Sequence, residues 1–176
     1  MSIETKIIGG IILLTVLVLG GGMLLVNKDE IATKEKSNKP FMGEKIPLLP
    51  ADHVVRGASH GEYNSNPPTS GWHWADVAGA GIKDKEVPDE LILHSMEHGA
   101  AVAWYKSDLD KIEVEKIKNA FNSATGKKIM LPRSNLDVPV ALTSWGYLLK
   151  LNTVDTKIIK EFIETNNDRA PEDEEI

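Results

Sequence analysis

The chain opens on a run of apolar residues and then changes character twice. From Ile7 to Val26 there are 20 consecutive positions without a charge (IIGGIILLTVLVLGGGMLLV). At about 1.5 Å per residue such a helix spans roughly 30 Å, the thickness of a bilayer's hydrocarbon core. The run predicts one uncleaved N-terminal transmembrane helix over 7–26, after a short tail at 1–6. A cleavable signal peptide has a shorter apolar region and ends on small residues, and Gly20-Gly21-Gly22 is a poor match to that motif. Residues 27–43 (NKDEIATKEKSNKPFMG) are charged and lack apolar periodicity, the pattern of a flexible tether.

Beyond the tether the pattern predicts a globular domain over 44–168. Ile46–Pro50, with its two prolines, is expected to be extended. His53–Trp74 is dominated by turn formers and reads as a long rigid loop, and Ala75–Val87 as a second one. Pro88-Asp89-Glu90 resembles a helix entry. Ala100–Tyr105 reads as a buried strand. Asp108 or Asp110 then caps a helix running to about Ala124, with Ile112, Ile117, Ala120, Phe121 and Ala124 on one face, and Gly126 stops it. Lys128–Leu131, Val138–Trp145 and Tyr147–Leu151 read as strands. Thr153 or Asp155 starts a last amphipathic helix through Ile158, Ile159, Phe162 and Ile163 to about Asn166. Residues 169–176 form an acidic stretch expected to be solvated and without a role of its own. This order predicts an α+β fold, a small mixed or antiparallel sheet with two packed helices.

Composition narrows the chemistry. A hydrophobic content of 41% with 26% charged residues describes a folded domain. The net charge of −6, without a basic stripe, argues against nucleic acid as a partner. The absence of cysteine removes disulfides, thiolate metal sites and cysteine nucleophiles. Basic residues alone (Lys6 before the span; Lys28, Lys34, Lys36 and Lys39 after it) lean toward a cytoplasmic domain, but a long domain translocates despite such a bias. The expectation is a single-pass membrane protein whose domain faces out of the cytoplasm, with an envelope partner of unknown identity.

All five histidines, His53, His60, His73, His94 and His98, fall between positions 53 and 98. Histidine is the commonest metal ligand, and loops on a rigid scaffold are where such groups collect. The stretch His94-Ser95-Met96-Glu97-His98-Gly99 is the sharpest case. As a helix it sets His94 and His98 on one face a turn apart; as a strand it points His94, Met96 and His98 to one side. Metal ligation is therefore expected from His60, His73, His94 and His98, with Met96 and Glu97 as secondary candidates. The ion would be copper or zinc, with thioether ligation by Met96, Met42 or Met130 tilting toward copper. The HExxH spacing of zinc proteases is absent. Two other readings stand beside this one. The histidines could be structural, in an interaction or assembly module, or Ser70 with His94 or His98 and Glu97 could form a hydrolase site. The latter lacks a G-x-S-x-G elbow.

Three blocks carry a resemblance: His60-Gly61-Glu62-Tyr63-Asn64-Ser65-Asn66-Pro67-Pro68-Thr69-Ser70-Gly71-Trp72-His73-Trp74, then His94-Ser95-Met96-Glu97-His98-Gly99-Ala100-Ala101-Val102, then Val140-Ala141-Leu142-Thr143-Ser144-Trp145-Gly146. Together they resemble the bacterial and archaeal family catalogued as domain of unknown function 3105, over roughly residues 46–165. The resemblance implies a domain behind an N-terminal membrane segment and brings no activity with it.

Overall fold

The computed structural model describes residues 39–172 and 174–176. The predicted transmembrane helix and nearly all of the predicted tether lie outside the described residues. Among the described residues, no helix is long and apolar enough to cross a membrane. Residues 41–176 form one compact unit.

Six strands make one mixed sheet: β1 (Glu44–Lys45), β2 (Gly81–Ile82), β3 (Ala101–Lys106), β4 (Lys128–Arg133), β5 (Val140–Ser144) and β6 (Tyr147–Leu151), in the order β1-β6-β5-β3-β4-β2. β4 runs parallel to β2 and β3, while β3–β5, β5–β6 and β6–β1 are antiparallel. The described helices are α1 (Asp89–Glu97), α2 (Lys111–Ser123) and α3 (Thr156–Asn166). The fold is therefore α+β with a mixed sheet, as the pattern predicts, and α1 is a third helix beyond the packed pair.

Alternation along the central strands divides the core into two layers. Ala101 and Ala103 of β3 and Met130 of β4 face α2 and α3, packing with Ile117, Phe121, Ile159, Phe162 and Ile163. Val102, Trp104, Ile129 and Leu131 point the other way, toward Ile92, Leu93 and Met96 of α1 and toward Trp145. Asp110 rather than Asp108 caps α2, its carboxylate accepting from Ile112 N at 2.7 Å, and Asp155 rather than Thr153 caps α3. One assignment to the buried face of α2 fails: Ile112 is 69% exposed. It sits in the first turn of α2.

α1 ends in a Schellman motif. Gly99 N donates to Met96 O and Ala100 N to Ser95 O, with Gly99 at φ +96°. This turn sends the chain straight from α1 into β3. The start of α1 is fixed by Arg133, whose guanidinium grips both oxygens of Asp89 at 2.6 and 2.9 Å. The same group donates through Nε to Asn66 at 2.7 Å and lies over the Trp104 ring.

Candidate metal centre

Two separate stretches supply the functional side chains. α1 carries His94 and Glu97, with His98 as the residue that ends it. The helical alternative of the sequence reading is thus the one adopted, and the i, i+3 and i, i+4 spacings put these residues on one face. The loop 53–74 supplies the rest. Val54 N donates to His73 O and His73 N to Asp52 O, forming a parallel β-bridge between His53 and His73. Paired residues of a parallel bridge project to the same side, so the bridge brings these rings together.

His53, His73, His94 and Glu97 each present a ligand atom, and the four atoms lie within 4.8 Å of one another. Ring centres are 4.8 Å apart for His53–His73 and for His53–His94, and 5.1 Å for His73–His94. With a Zn–N bond of about 2.1 Å and roughly 1.1 Å from nitrogen to ring centre, tetrahedral ligation spaces ring centres about 5.2 Å apart. The triangle observed is close to that arrangement. His73, His94 and Glu97 are buried, while His53 is exposed and opens the group to solvent.

Hydrogen bonding decides what these groups face one another with. His73 Nδ1 lies 2.7 Å from Gly71 O and donates to that carbonyl. In the neutral ring this leaves the lone pair on Nε2, directed at Glu97 Oε2 only 2.8 Å away. That contact lacks hydrogen-bond geometry, and His73 Nε2 and His94 Nδ1 are both buried without a hydrogen-bond partner among the described residues. A carbonyl that holds one imidazole nitrogen so that the other is turned inward is the usual support of a metal-bound histidine.

The electrostatics run the same way. Burial is the main cause that holds His73 below the ordinary imidazole range, with the Gly71 carbonyl acting in opposition. His94 is pushed down by burial and then by His98. The Glu97 carboxyl is pushed up by burial and then by the nearby charge of Glu172. These directions favour neutral forms on both sides, so the short His73–Glu97 contact is not a simple ion pair. A cation among the lone pairs would relieve both penalties.

The remaining sequence candidates have other surroundings. His60 is not part of this group. Its Nδ1 lies 2.8 Å from Gly61 O and its Nε2 3.4 Å from Glu90, and its ring stacks on Trp72. Met96 points into the core, where its sulfur accepts from Thr143 Oγ1 at 3.3 Å, and Thr143 accepts from Trp104 Nε1 at 2.8 Å. His98 lies beside the group, its ring centre 4.4 Å from that of His94, and belongs to a second set with His94 and Glu172. Ser70 is fully buried and its Oγ accepts from Leu49 N at 3.0 Å, and among the described residues no hydrogen bond joins it to a histidine. His53 takes the place that the sequence reading gives to His60.

The chain matches, over residues 54–176, a family model described as "Protein of unknown function (DUF3105)". The chain belongs to this family. No match was found among curated proteins or among solved structures. The DUF3105 match takes in the histidine-bearing loop from Val54 onward, α1 and the acidic stretch after Asn166. Pro171, Glu172, Glu174 and Glu175 are exposed, but Ala170 and Ile176 are partly buried against the core and the backbone is docked on the domain, so the stretch is not the wholly solvated segment expected. Asp168 N donates to Gly99 O at 2.8 Å and Glu172 N to Glu97 O at 3.2 Å.

Proposed function

We propose that this domain binds a divalent transition metal through His53, His73, His94 and Glu97. The reading rests on two inward-turned, unpartnered imidazole nitrogens beside a carboxylate in one buried group. Three imidazoles and a carboxylate suit zinc, with copper(II) as the next choice. Copper(I) is less favoured, because the one thioether in this stretch, Met96, is spent in the core. His53 lies at the solvent edge of the group, and the bridge to His73 and the α1 helix hold the donors in place. The apolar span 7–26 would anchor the domain at a membrane, with the domain on the outer side and an envelope protein as its partner.

The test is zinc binding by the full chain, purified in detergent without a histidine tag. The expected result is stoichiometric zinc by elemental analysis. His73→Gln should weaken it at least ~100-fold, roughly 2.8 kcal/mol at 1.4 kcal/mol per factor of ten. The exposed His53→Gln should weaken it less, and circular dichroism separates unfolding from ligand loss. Met96→Leu should retain zinc at a stability cost under about 1.5 kcal/mol. A folded wild-type chain that takes up no zinc or copper overturns the reading. It would leave the histidines as structural groups, a role to which the carbonyl bonds of His60, His73 and His98 are also suited.

A further inference from the structure

The acidic segment after Asn166 does more than trail from α3. Besides the two backbone bonds to Gly99 and Glu97, Lys127 Nζ donates to Glu174 O at 2.7 Å, and Ala170 and Ile176 pack against the core layer beneath α1. This docking carries Glu172 to the edge of the metal centre. There His94, His98 and Glu172 each present a ligand atom, and the three lie within 4.8 Å of one another.

His98 is set up as His73 is. Its Nδ1 lies 2.9 Å from Glu175 O and donates to it, which in the neutral ring leaves the Nε2 lone pair toward Glu172 Oε2 at 3.3 Å and Glu174 Oε2 at 3.8 Å. Two ligand atoms each about 2.05 Å from a tetrahedral zinc are spaced about 3.3 Å apart. The His98 side chain is 6% exposed and that of Glu172 45%, so this set reaches from the interior to solvent. His94 belongs to both sets and carries the unpartnered buried Nδ1. A neutral imidazole has a single nitrogen lone pair. His94 therefore serves one ion at a time, and the two sets are alternatives.

We propose that His94, His98 and Glu172 form a transfer subsite, through which one ion passes between solvent and the buried group of His53, His73, His94 and Glu97. Glu172 and His98 take the ion at the surface, and His94 is the ligand kept while the others are exchanged. No bond other than ligand–metal bonds is made or broken, apart from the proton that the Glu97 carboxyl releases to solvent as it takes the ion. The inference rests on the metal-binding reading above.

A shared transfer site has a kinetic signature that a purely structural or electrostatic role lacks. It lies on the path both inward and outward, so damage to it slows uptake and release together and moves the equilibrium little. The measurement is stopped-flow Zn²⁺ uptake and chelator-chased Zn²⁺ release on the full chain in detergent, for wild type, Glu172→Gln and His98→Gln. The expected result is one zinc per chain, with uptake and release both slowed about tenfold or more in each variant, the scale on which groups around a metal act. Glu172→Gln alters an exposed side chain and keeps the test usable if His98→Gln does not fold. Slower uptake with unchanged release would reduce Glu172 to electrostatic steering and overturn the proposal. Unchanged rates, or two zinc ions bound at once, would overturn it while leaving the metal centre in place. No zinc bound by the wild type would overturn both readings.

Discussion

At the scale of single residues, the centre depends on imidazoles that prefer to be neutral. This has a consequence for pH that can be worked out in sign. His73 and His94 have folded pKa values below the ordinary 6.5, so between those values the folded chain holds fewer protons than the unfolded one. Stability is lost as pH falls below about 6.5 and the loss levels off beneath the folded values. Glu97 acts oppositely: its raised pKa means the folded chain holds the extra proton above 4.5, which favours the fold on the acid side. His73 and His94 set the expected direction, with Glu97 working against it: thermal melting of the metal-free full chain should shift to lower temperature between pH 7 and pH 5.5. A melting temperature that is flat or rises over that interval would mean that these rings are charged in the folded protein or that the Glu97 contribution matches theirs. Residue identity was also where the sequence was hardest to read. The concentration of histidines signals metal chemistry, but nothing in the local pattern separates His53 from His60. The choice is made by the His53–His73 bridge, a tertiary pairing across the turn-rich loop.

At the scale of elements, helix starts and faces were largely legible because capping and periodicity are local. Asp110, Asp155 and the Ile159–Phe162–Ile163 face all act as the pattern implies. The short strands β1 and β2 were not legible, since two-residue strands have no period to detect and form only against β6 and β4. The role of the Glu97-His98-Gly99 block likewise emerges from packing. Gly99 combines a left-handed backbone with a close approach: a Cβ there would sit 3.0 Å from Asp168 Cα and 3.2 Å from Asp168 N. Gly57 has a similar φ of +83° and nothing within 4 Å of such a Cβ. Gly57→Ala should therefore cost only the conformational penalty, about 1–2 kcal/mol. Gly99→Ala should cost at least ~1 kcal/mol more, as tighter-than-normal contact forces the backbones apart. Denaturant unfolding of the two variants compares them directly, and equal losses would show that Asp168 yields without cost.

At the scale of the whole molecule, the mixed sheet keeps two jobs apart. One face is closed by α2 and α3 over an apolar layer; the other carries α1 and the histidine-bearing loop. The proposed membrane attachment through 7–26 is testable on intact cells: an externally added protease should cleave the domain from the membrane fraction. Protection of the domain until the cells are opened would put it on the cytoplasmic side. The division of the sheet was foreshadowed by the alternation in β3, whereas the docking of the acidic segment was not, because its hydrogen bonds use its own backbone groups and its two apolar contacts, Ala170 and Ile176, show no period.

The Arg133 guanidinium gives this arrangement a common bearing. One end of it clasps the entry to the α1 helix and another the turn at Asn66, upstream of His73, while its flat face rests on Trp104 of the central strand. Helix and loop are thus gauged from the same point, much as two jaws are trued against one pin. A lysine there, with a point charge in place of the fork, would leave both jaws ungauged without touching a single residue of the histidine group.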